Sequence, residues 1–296
     1  MKIQANGIEL EYESHGPDGA PVVLLIMGLG AQLTLWPIQF VEDLVARGYR
    51  AIRFDNRDVG LSAKFDAAGI PNLMQIAATL FAGLKPSVPY TLDDMAADAK
   101  GLLDALGIER AHILGGSMGG MIAQIFAATY PERTLSLTSI MSTTGNPAVP
   151  QASAAAMAAL TTRPTSTDLD AILAHGINVA RVIGSPAYPA DAELLRQRIQ
   201  RDFERSFHPA GFTRQMAAIY AGGDRRKLIA TIAAPTMVIH GVDDPLVPVE
   251  GGRDTAAAIP GAKLREIPGM GHDIPVALIP TILDAFEEVA REPAAA

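Results

Sequence analysis

The chain contains no cysteine. Disulfides, thiolate metal sites and a cysteine nucleophile are therefore excluded, while the compartment stays undecided. Positive charge is scarce as well. Lys and Arg number 24 against 32 Asp and Glu, for a net charge of −8, and no basic stripe offsets it. Nucleic acid is disfavoured as a partner on that ground. No apolar run is long enough to cross a bilayer, since the most apolar one, Val22 to Gly30, is too short. The N-terminus, Met1 to Tyr12, alternates around Asn6-Gly7 like a hairpin and lacks the apolar stretch of a signal peptide. The expectation is a soluble cytoplasmic protein without a membrane partner. An H-E-x-x-H run is missing, and so is a G-x-G-x-x-G loop in a dinucleotide context. No metal and no cofactor is expected.

What is present fills 296 residues, 49% hydrophobic and 19% charged. That suits one large α/β domain or two small ones, with a sizeable core. The chain is organised around Gly115-Gly116-Ser117-Met118-Gly119-Gly120. Before it runs Ala111-His112-Ile113-Leu114, strand-like; after it runs Met121 to Ala128, rich in helix formers and ending before Pro131. A serine framed by glycines between strand and helix is the G-x-S-x-G nucleophile elbow in its expected context. The glycines permit a sharp, crowded turn, and the helix start offers free N–H groups to a developing oxyanion.

In chain order, Pro21 to Met27 reads as a strand buried on both faces, ending in Gly28-Leu29-Gly30. A helix follows Trp36-Pro37, then a strand over 49–54 and a polar turn from Asp55 to Ser62. Residues 63–90 read as loop with a short helix at Met74 to Phe81, and Thr91 as the N-cap of a helix with Met95, Ala99, Leu102, Leu103 and Leu106 on its apolar face. Strand and helix alternate up to the strand at Leu135 to Met141, which predicts a parallel sheet with right-handed crossovers. The rhythm breaks over 143–230. A helix at Ala152 to Leu160, the stripe Leu195, Ile199, Phe203 and Phe207, and the stripe Phe212, Met216 and Tyr220 read as a helical cap inserted into a core of 1–142 and 231–296. Arg196, Arg198, Arg201 and Arg205, interspersed with acids, read as a solvated face with ion pairs, with an anion-binding surface as the alternative. The sheet resumes at Pro235 to His240 and closes at Ala262 to Ile267, with helices at about 249–258 and 279–290; the tail from Glu292 to Ala296 is expected to fray.

A serine hydroxyl needs a base in hydrogen-bond reach, and the base needs an orienting acid. Of six histidines, His112 and His240 lie within strands and read as structural, while His15, His175 and His208 lie in loops or cap helices. His272 alone follows a late strand between glycine-rich neighbours, so it is the expected base. Asp243 and Asp244 are adjacent at the end of another strand, and sequence physics does not separate them; Asp55, Asp58 and Asp273 read as turn or loop residues. The order Ser, Asp, His fits the elbow. Of the two oxyanion N–H donors, one is expected from Met118 and the other from Leu29 in the glycine loop.

Together Leu24 to Gly30, Asp55 to Ser62, the elbow, Gly241 to Pro248 and Gly269 to His272 resemble the α/β-hydrolase superfamily over nearly the whole length. Met27-Gly28, Arg53 to Asp58, Ser117-Met118-Gly119 and Ile267 to His272 resemble, within it, small bacterial serine esterases of the aclacinomycin methylesterase type. The resemblance implies a mostly parallel sheet flanked by helices, with Ser117 as nucleophile and His272 as base. The family's D-x-x-V-P pattern falls on Asp244, Val247 and Pro248, which makes Asp244 the implied acid. Many relatives carry His-Gly where this chain has Met27-Gly28, a change that leaves backbone donors intact. The implied activity is cleavage of a small-molecule carboxylic ester through an acyl-enzyme, with C–C, lactone or amide hydrolysis, acyl transfer or perhydrolysis as alternatives on the same triad, and a non-catalytic ligand-binding protein as the alternative from another class. Gly28 and Trp36 are the expected substrate-binding positions beside it.

Overall fold

The alternating N-terminus folds into β1 (Lys2–Ala5) and β2 (Ile8–His15). Asn6 and Gly7 both take positive φ, 48° and 77°, as the tight two-residue turn between twisted strands demands. In this computed structural model, which describes residues 1–292, β2 pairs antiparallel with β4 (Arg50–Phe54). Residues 293–296 of the tail expected to fray lie outside the described residues. Past β4 the pairing is parallel, through β3 (Val22–Ile26), β5 (Ala111–Gly116), β6 (Thr134–Ile140), β7 (Thr236–Gly241) and β8 (Lys263–Ile267). The sheet has eight strands among the described residues, in the order β1-β2-β4-β3-β5-β6-β7-β8.

Helices cover both faces, which is why β3 carries no polar face. Val22, Leu24 and Ile26 point into a cluster with α3 (Leu92–Ala105) and α4 (Met118–Thr129). Val23 and Leu25 point the other way, against α1 (Ile38–Ala46) and α11 (Ile279–Ala290). Successive strand residues thus serve opposite cores, the period of two expected of a strand buried on both sides. The helix α3 starts where its sequence says. The Thr91 hydroxyl accepts the Asp94 N–H at 3.2 Å, and the Asp94 carboxylate accepts the Thr91 N–H at 2.7 Å. A shorter helix, α2 (Leu73–Phe81), lies in the long connection before it.

Between β6 and β7 the described chain is helical: α5 (Ala154–Thr161), α6 (Leu169–Ile183), α7 (Ala192–Arg205), α8 (Pro209–Gly222) and the short α9 (Arg226–Ile229). This is the inserted helical cap of an α/β-hydrolase fold. Sequence reading did not resolve α6 as an element. The helix α10 (Val249–Ala258) follows β7 and precedes β8. The cap sits over the C-terminal ends of the parallel strands, where open α/β sheets gather their sites.

The arginine face of α7 departs from expectation. Arg205 turns inward and bonds the fully buried Asp55 carboxylate at 2.7 Å, and Arg198 borders a cavity instead of solvent. Only Arg196 and Arg201 remain on an exposed face, Arg201 beside Asp202. The turn aspartates Asp55 and Asp58 are likewise buried ion-pair partners, Asp58 of Arg214.

Candidate active site

The elbow is strained as its sequence implies. Ser117 has φ 55° and ψ −120°, a region that costs a non-glycine residue free energy and persists only where surroundings enforce it. Its N–H is tied to the Ile140 carbonyl at 2.9 Å. The crowding explains two glycines. A Cβ on Gly115 would stand 2.1 Å from the Gly119 carbonyl oxygen, and one on Gly119 would stand 2.0 Å from that of Ile26. The turn holds the Ser117 hydroxyl clear of the sheet end, in a cavity of about 1530 Å³ under the cap.

Two other strand ends bring partners to this hydroxyl. His272, in the loop after β8, has Nε2 at 2.9 Å from Ser117 Oγ. Its Nδ1 lies 2.7 Å from Asp244 Oδ2, in the loop after β7. An ionised carboxylate only accepts, so Nδ1 carries the proton and donates it; Nε2 is then free to accept the Ser117 O–H. Asp244 Oδ1 accepts the N–H groups of Leu246 and Val247, both at 2.9 Å, which fixes the carboxylate plane. Asp243, its neighbour, instead accepts the Gly269 N–H at 2.7 Å. The two aspartates that spacing could not separate thus hold the same loop in different ways, and Asp244 is the one that meets the imidazole.

Leu29 and Met118 both border the cavity beside Ser117. Met118 is the first residue of α4, so its N–H has no acceptor within the helix. Gly28 is close to the hydroxyl, since a Cβ there would lie 3.6 Å from Ser117 Oγ. Trp36 is placed elsewhere. It is fully buried, stacked near Phe40 with ring centroids 5.1 Å apart, and lies beneath the elbow, where a Cβ on Gly116 would be 3.9 Å from the indole. It does not border the cavity, because its ring turns down into the core that supports the turn.

The remaining histidines take other positions. His112 is buried in β5 and donates to or accepts from Ser136 Oγ at 2.9 Å; burial, with Arg110 nearby, pushes its pKa down to about 4. His240, on β7, reaches the Val247 carbonyl at 2.8 Å, and burial lowers its pKa too. His208 meets Asp66 and Arg214, His15 meets Glu13, and His175 borders the cavity from α6. Among the described residues, no group of three or more His, Cys, Asp or Glu could hold a metal ion, and no helix is long and apolar enough to cross a membrane.

The cavity wall is largely apolar. Met27, Met121, Met141, Met157 and Met216 contribute flexible thioethers, which adapt to irregular ligands. The α7 stripe, Leu195, Ile199 and Phe203, faces this space, with Phe207 beyond the helix end beside it, and α7 has no fully buried residue. Arg198 shares the stripe, three residues after Leu195 and four before Asp202. Among the described residues it makes no hydrogen bond or ion pair; burial lowers its pKa, and Asp202 and Asp273 offset this from a distance. Sequence reading placed Arg198 in solvent. Its i, i+3 relation to Leu195 was the available signal.

The site's surroundings match known proteins over the same span. Residues 21–276 match the model of the alpha/beta hydrolase fold family. A rhodomycin D methylesterase of a Streptomyces species is 30% identical over 298 residues, covering 93% of each chain. A 2-hydroxy-6-oxononadienedioate/2-hydroxy-6-oxononatrienedioate hydrolase of Paraburkholderia phymatum is 33% identical over 281 residues, covering 92% of this chain and 88% of that one. Among solved structures, an enol-lactonase of Burkholderia xenovorans superposes with a TM-score of 0.73 at 26% identity, over 97% of this chain and 100% of the other. With an elbow serine, a late histidine and an aspartate joined at the ends of three strands, this chain belongs to the alpha/beta hydrolase fold family.

Proposed function

We propose that this chain is a serine hydrolase that passes an acyl group from a small organic substrate to Ser117 and then to water. The observation that carries the reading is the continuous relay from Ser117 Oγ through His272 to Asp244 at the floor of an apolar cavity. As Ser117 attacks a carbonyl carbon, His272 Nε2 takes the hydroxyl proton, and Asp244 steadies the imidazolium. The N–H groups of Leu29 and Met118 receive the negative oxygen. His272 then gives the proton to the leaving group, which departs as an alcohol from an ester. A water molecule, deprotonated by His272, releases the acid and restores Ser117. In this reading 1–142 and 231–296 form the core that carries the chemistry, and 143–230 the cap that selects the substrate.

Cleavage of a carboxylic ester is the first form of the reaction. The methylesterase relative supports it, and so does a cavity whose lining is mostly apolar. A second form, hydrolysis of a C–C bond beside a ketone, is favoured by Arg198. An unpaired guanidinium on the cavity wall would meet a substrate carboxylate, and the Paraburkholderia relative is named for a dioate. Rates on a panel of p-nitrophenyl and methyl esters, an enol lactone and a vinylogous diketone acid separate the two. Fastest turnover of neutral esters supports the first; fastest turnover of the diketone acid, lost in Arg198→Leu, supports the second. Ser117→Ala is expected to abolish turnover of every member, and undiminished rates in that variant would reject the serine mechanism.

A further inference from the structure

The base of the relay stands on a short loop that core and cap grip from two sides, with the Met270 side chain buried in the core. Residues 269–273 read Gly-Met-Gly-His-Asp, so two of the five supply no side chain to pack. The core ties this loop from one side, through Asp243, which accepts the Gly269 N–H and donates its own N–H to the Met270 carbonyl at 3.1 Å. The other side is tied by the cap. His272 donates its backbone N–H to the carbonyl of Ile183, the last residue of α6, at 2.7 Å. Ser185 Oγ accepts the Gly271 N–H at 2.9 Å and donates to Asp273 Oδ1, which also accepts the Ser185 N–H at 3.0 Å. Two residues on, Ala187 donates to the Gly269 carbonyl at 3.2 Å.

The fit is close as well as bonded. A Cβ on Gly271 would stand 2.5 Å from the Gly184 carbonyl oxygen, and one on Gly269 would stand 2.3 Å from the Ala187 Cβ. Ser185 is buried, and its hydroxyl serves once as acceptor and once as donor, so its only hydrogen is committed to Asp273. Asp273, whose carboxyl burial pushes above its ordinary value, is spent on the serine and not on the imidazole.

We propose that the cap's 183–187 segment holds the base in place, with Ser185 and Asp273 as positioning residues for His272. This rests on the reading of Ser117 and His272 as the reacting pair. The cap is then more than a cover that selects substrate. Its α6 end travels with the core, and any opening that admits substrate has to occur at another edge, since lifting this end would withdraw the imidazole from Ser117.

The test measures kcat and KM on the best ester of the panel, with thermal melts to confirm folding. Ser185→Ala and Asp273→Ala are expected to lower kcat about 10- to 100-fold, with KM within about threefold, as a sub-ångström shift of the base would. Asp273→Asn keeps an acceptor oxygen for Ser185 and is expected to recover kcat to within about threefold of the parent. A folded Ser185→Ala protein with undiminished kcat overturns the proposal. So does Asp273→Asn as impaired as Asp273→Ala, a comparison that stands alone should Ser185→Ala fail to fold. Ser117→Ala separates the two levels. Turnover that persists in it overturns both readings, whereas an inactive Ser117→Ala beside a fully active Ser185→Ala overturns the positioning role only.

Discussion

The sheet and the cap bury polar groups in opposite ways. On β5 and β7, the strands that carry the elbow and lead to Asp244, the buried titratable groups are neutral histidines, His112 and His240, both with pKa values depressed by burial; the buried Arg53, paired with Glu13, lies further out on β4. Where the cap meets the core, the buried groups are charged and paired. Arg214 of α8 forks onto Asp58 at 2.7 and 2.8 Å, and Arg205 of α7 reaches Asp55. The difference follows from what each surface can offer. Strands interlock through a continuous backbone ladder and apolar side chains on both faces, so orientation is over-determined. Cap helices have no ladder to the core and one face turned to a cavity. A long guanidinium with a fixed fork is what sets their position. The strands therefore place Ser117 and Asp244 to within a hydrogen bond of His272, while the place of α7 and α8 depends on a few pairs distant in sequence.

The sharpest cut at the core side is Asp244→Asn. The amide can present its N–H₂ to His272 and so favour the wrong tautomer, and kcat is expected to fall by roughly 10⁴ with the fold intact. Steady-state kinetics and a melt check it; a fall below tenfold would mean that the core does not need its acid. On the cap side the largest effect is on stability. Arg214→Ala leaves the Asp58 carboxylate, fully buried, without its fork, at an expected cost of about 3–5 kcal/mol in urea denaturation. A loss under about 1 kcal/mol would remove the contrast drawn here, because the pair would then be dispensable.

The same contrast governs what could be read from the chain beforehand. The strands, the elbow and the His272 loop were legible because their signals are local: apolar runs, glycine positions, a capping Thr91. The choice between Asp243 and Asp244 was not, since both sit in one turn and only the three-dimensional path of the His272 loop assigns them separate tasks. The α7 stripe was visible as amphipathic, yet periodicity cannot say whether an apolar face meets protein or an empty space. Arg205 and Asp55 stand 150 residues apart, and nothing in either neighbourhood announces the other. Trp36 failed for a related reason: its place beside the glycine loop says nothing of whether the ring turns up to the cavity or down under the elbow.

The neutral histidines of the sheet give a pH test of the first half of the comparison. His112 has an ordinary pKa of about 6.5 when unfolded and about 4 when folded. Between those values the unfolded chain binds the proton and the native one does not, so its contribution is complete above pH 6.5 and is lost as pH falls toward 4. The loss from this residue amounts to at most about 3 kcal/mol. His240 shifts in the same direction and adds to the same window. Denaturation at pH 7 and pH 5 is expected to show a drop that His112→Gln reduces. An unchanged slope in that variant would place the acid sensitivity elsewhere.

The smallest expected effect probes how the cap is aimed. Arg205 joins three pieces: α7, the Gln32 side chain at 2.6 Å, and Asp55, whose carboxylate also accepts the Leu33 and Leu61 N–H groups at 2.8 Å. Asp202 adds a second tie to Thr34 at 2.7 Å. These bonds fix the roll of α7 about its axis, and the roll decides which side chains face the cavity. Arg205→Gln keeps a donor near Asp55 but loses the charge and the reach. The stripe of Leu195, Ile199 and Phe203 is then free to rotate by part of a turn, which should cost substrate binding about 1 kcal/mol. Because the strand ends and the tied α6 end together set the Ser117–His272 distance, and Arg205 bonds neither, kcat should hold within about twofold while KM rises about fivefold. A fall in kcat with KM unchanged would mean that α7 and the base are not separately supported.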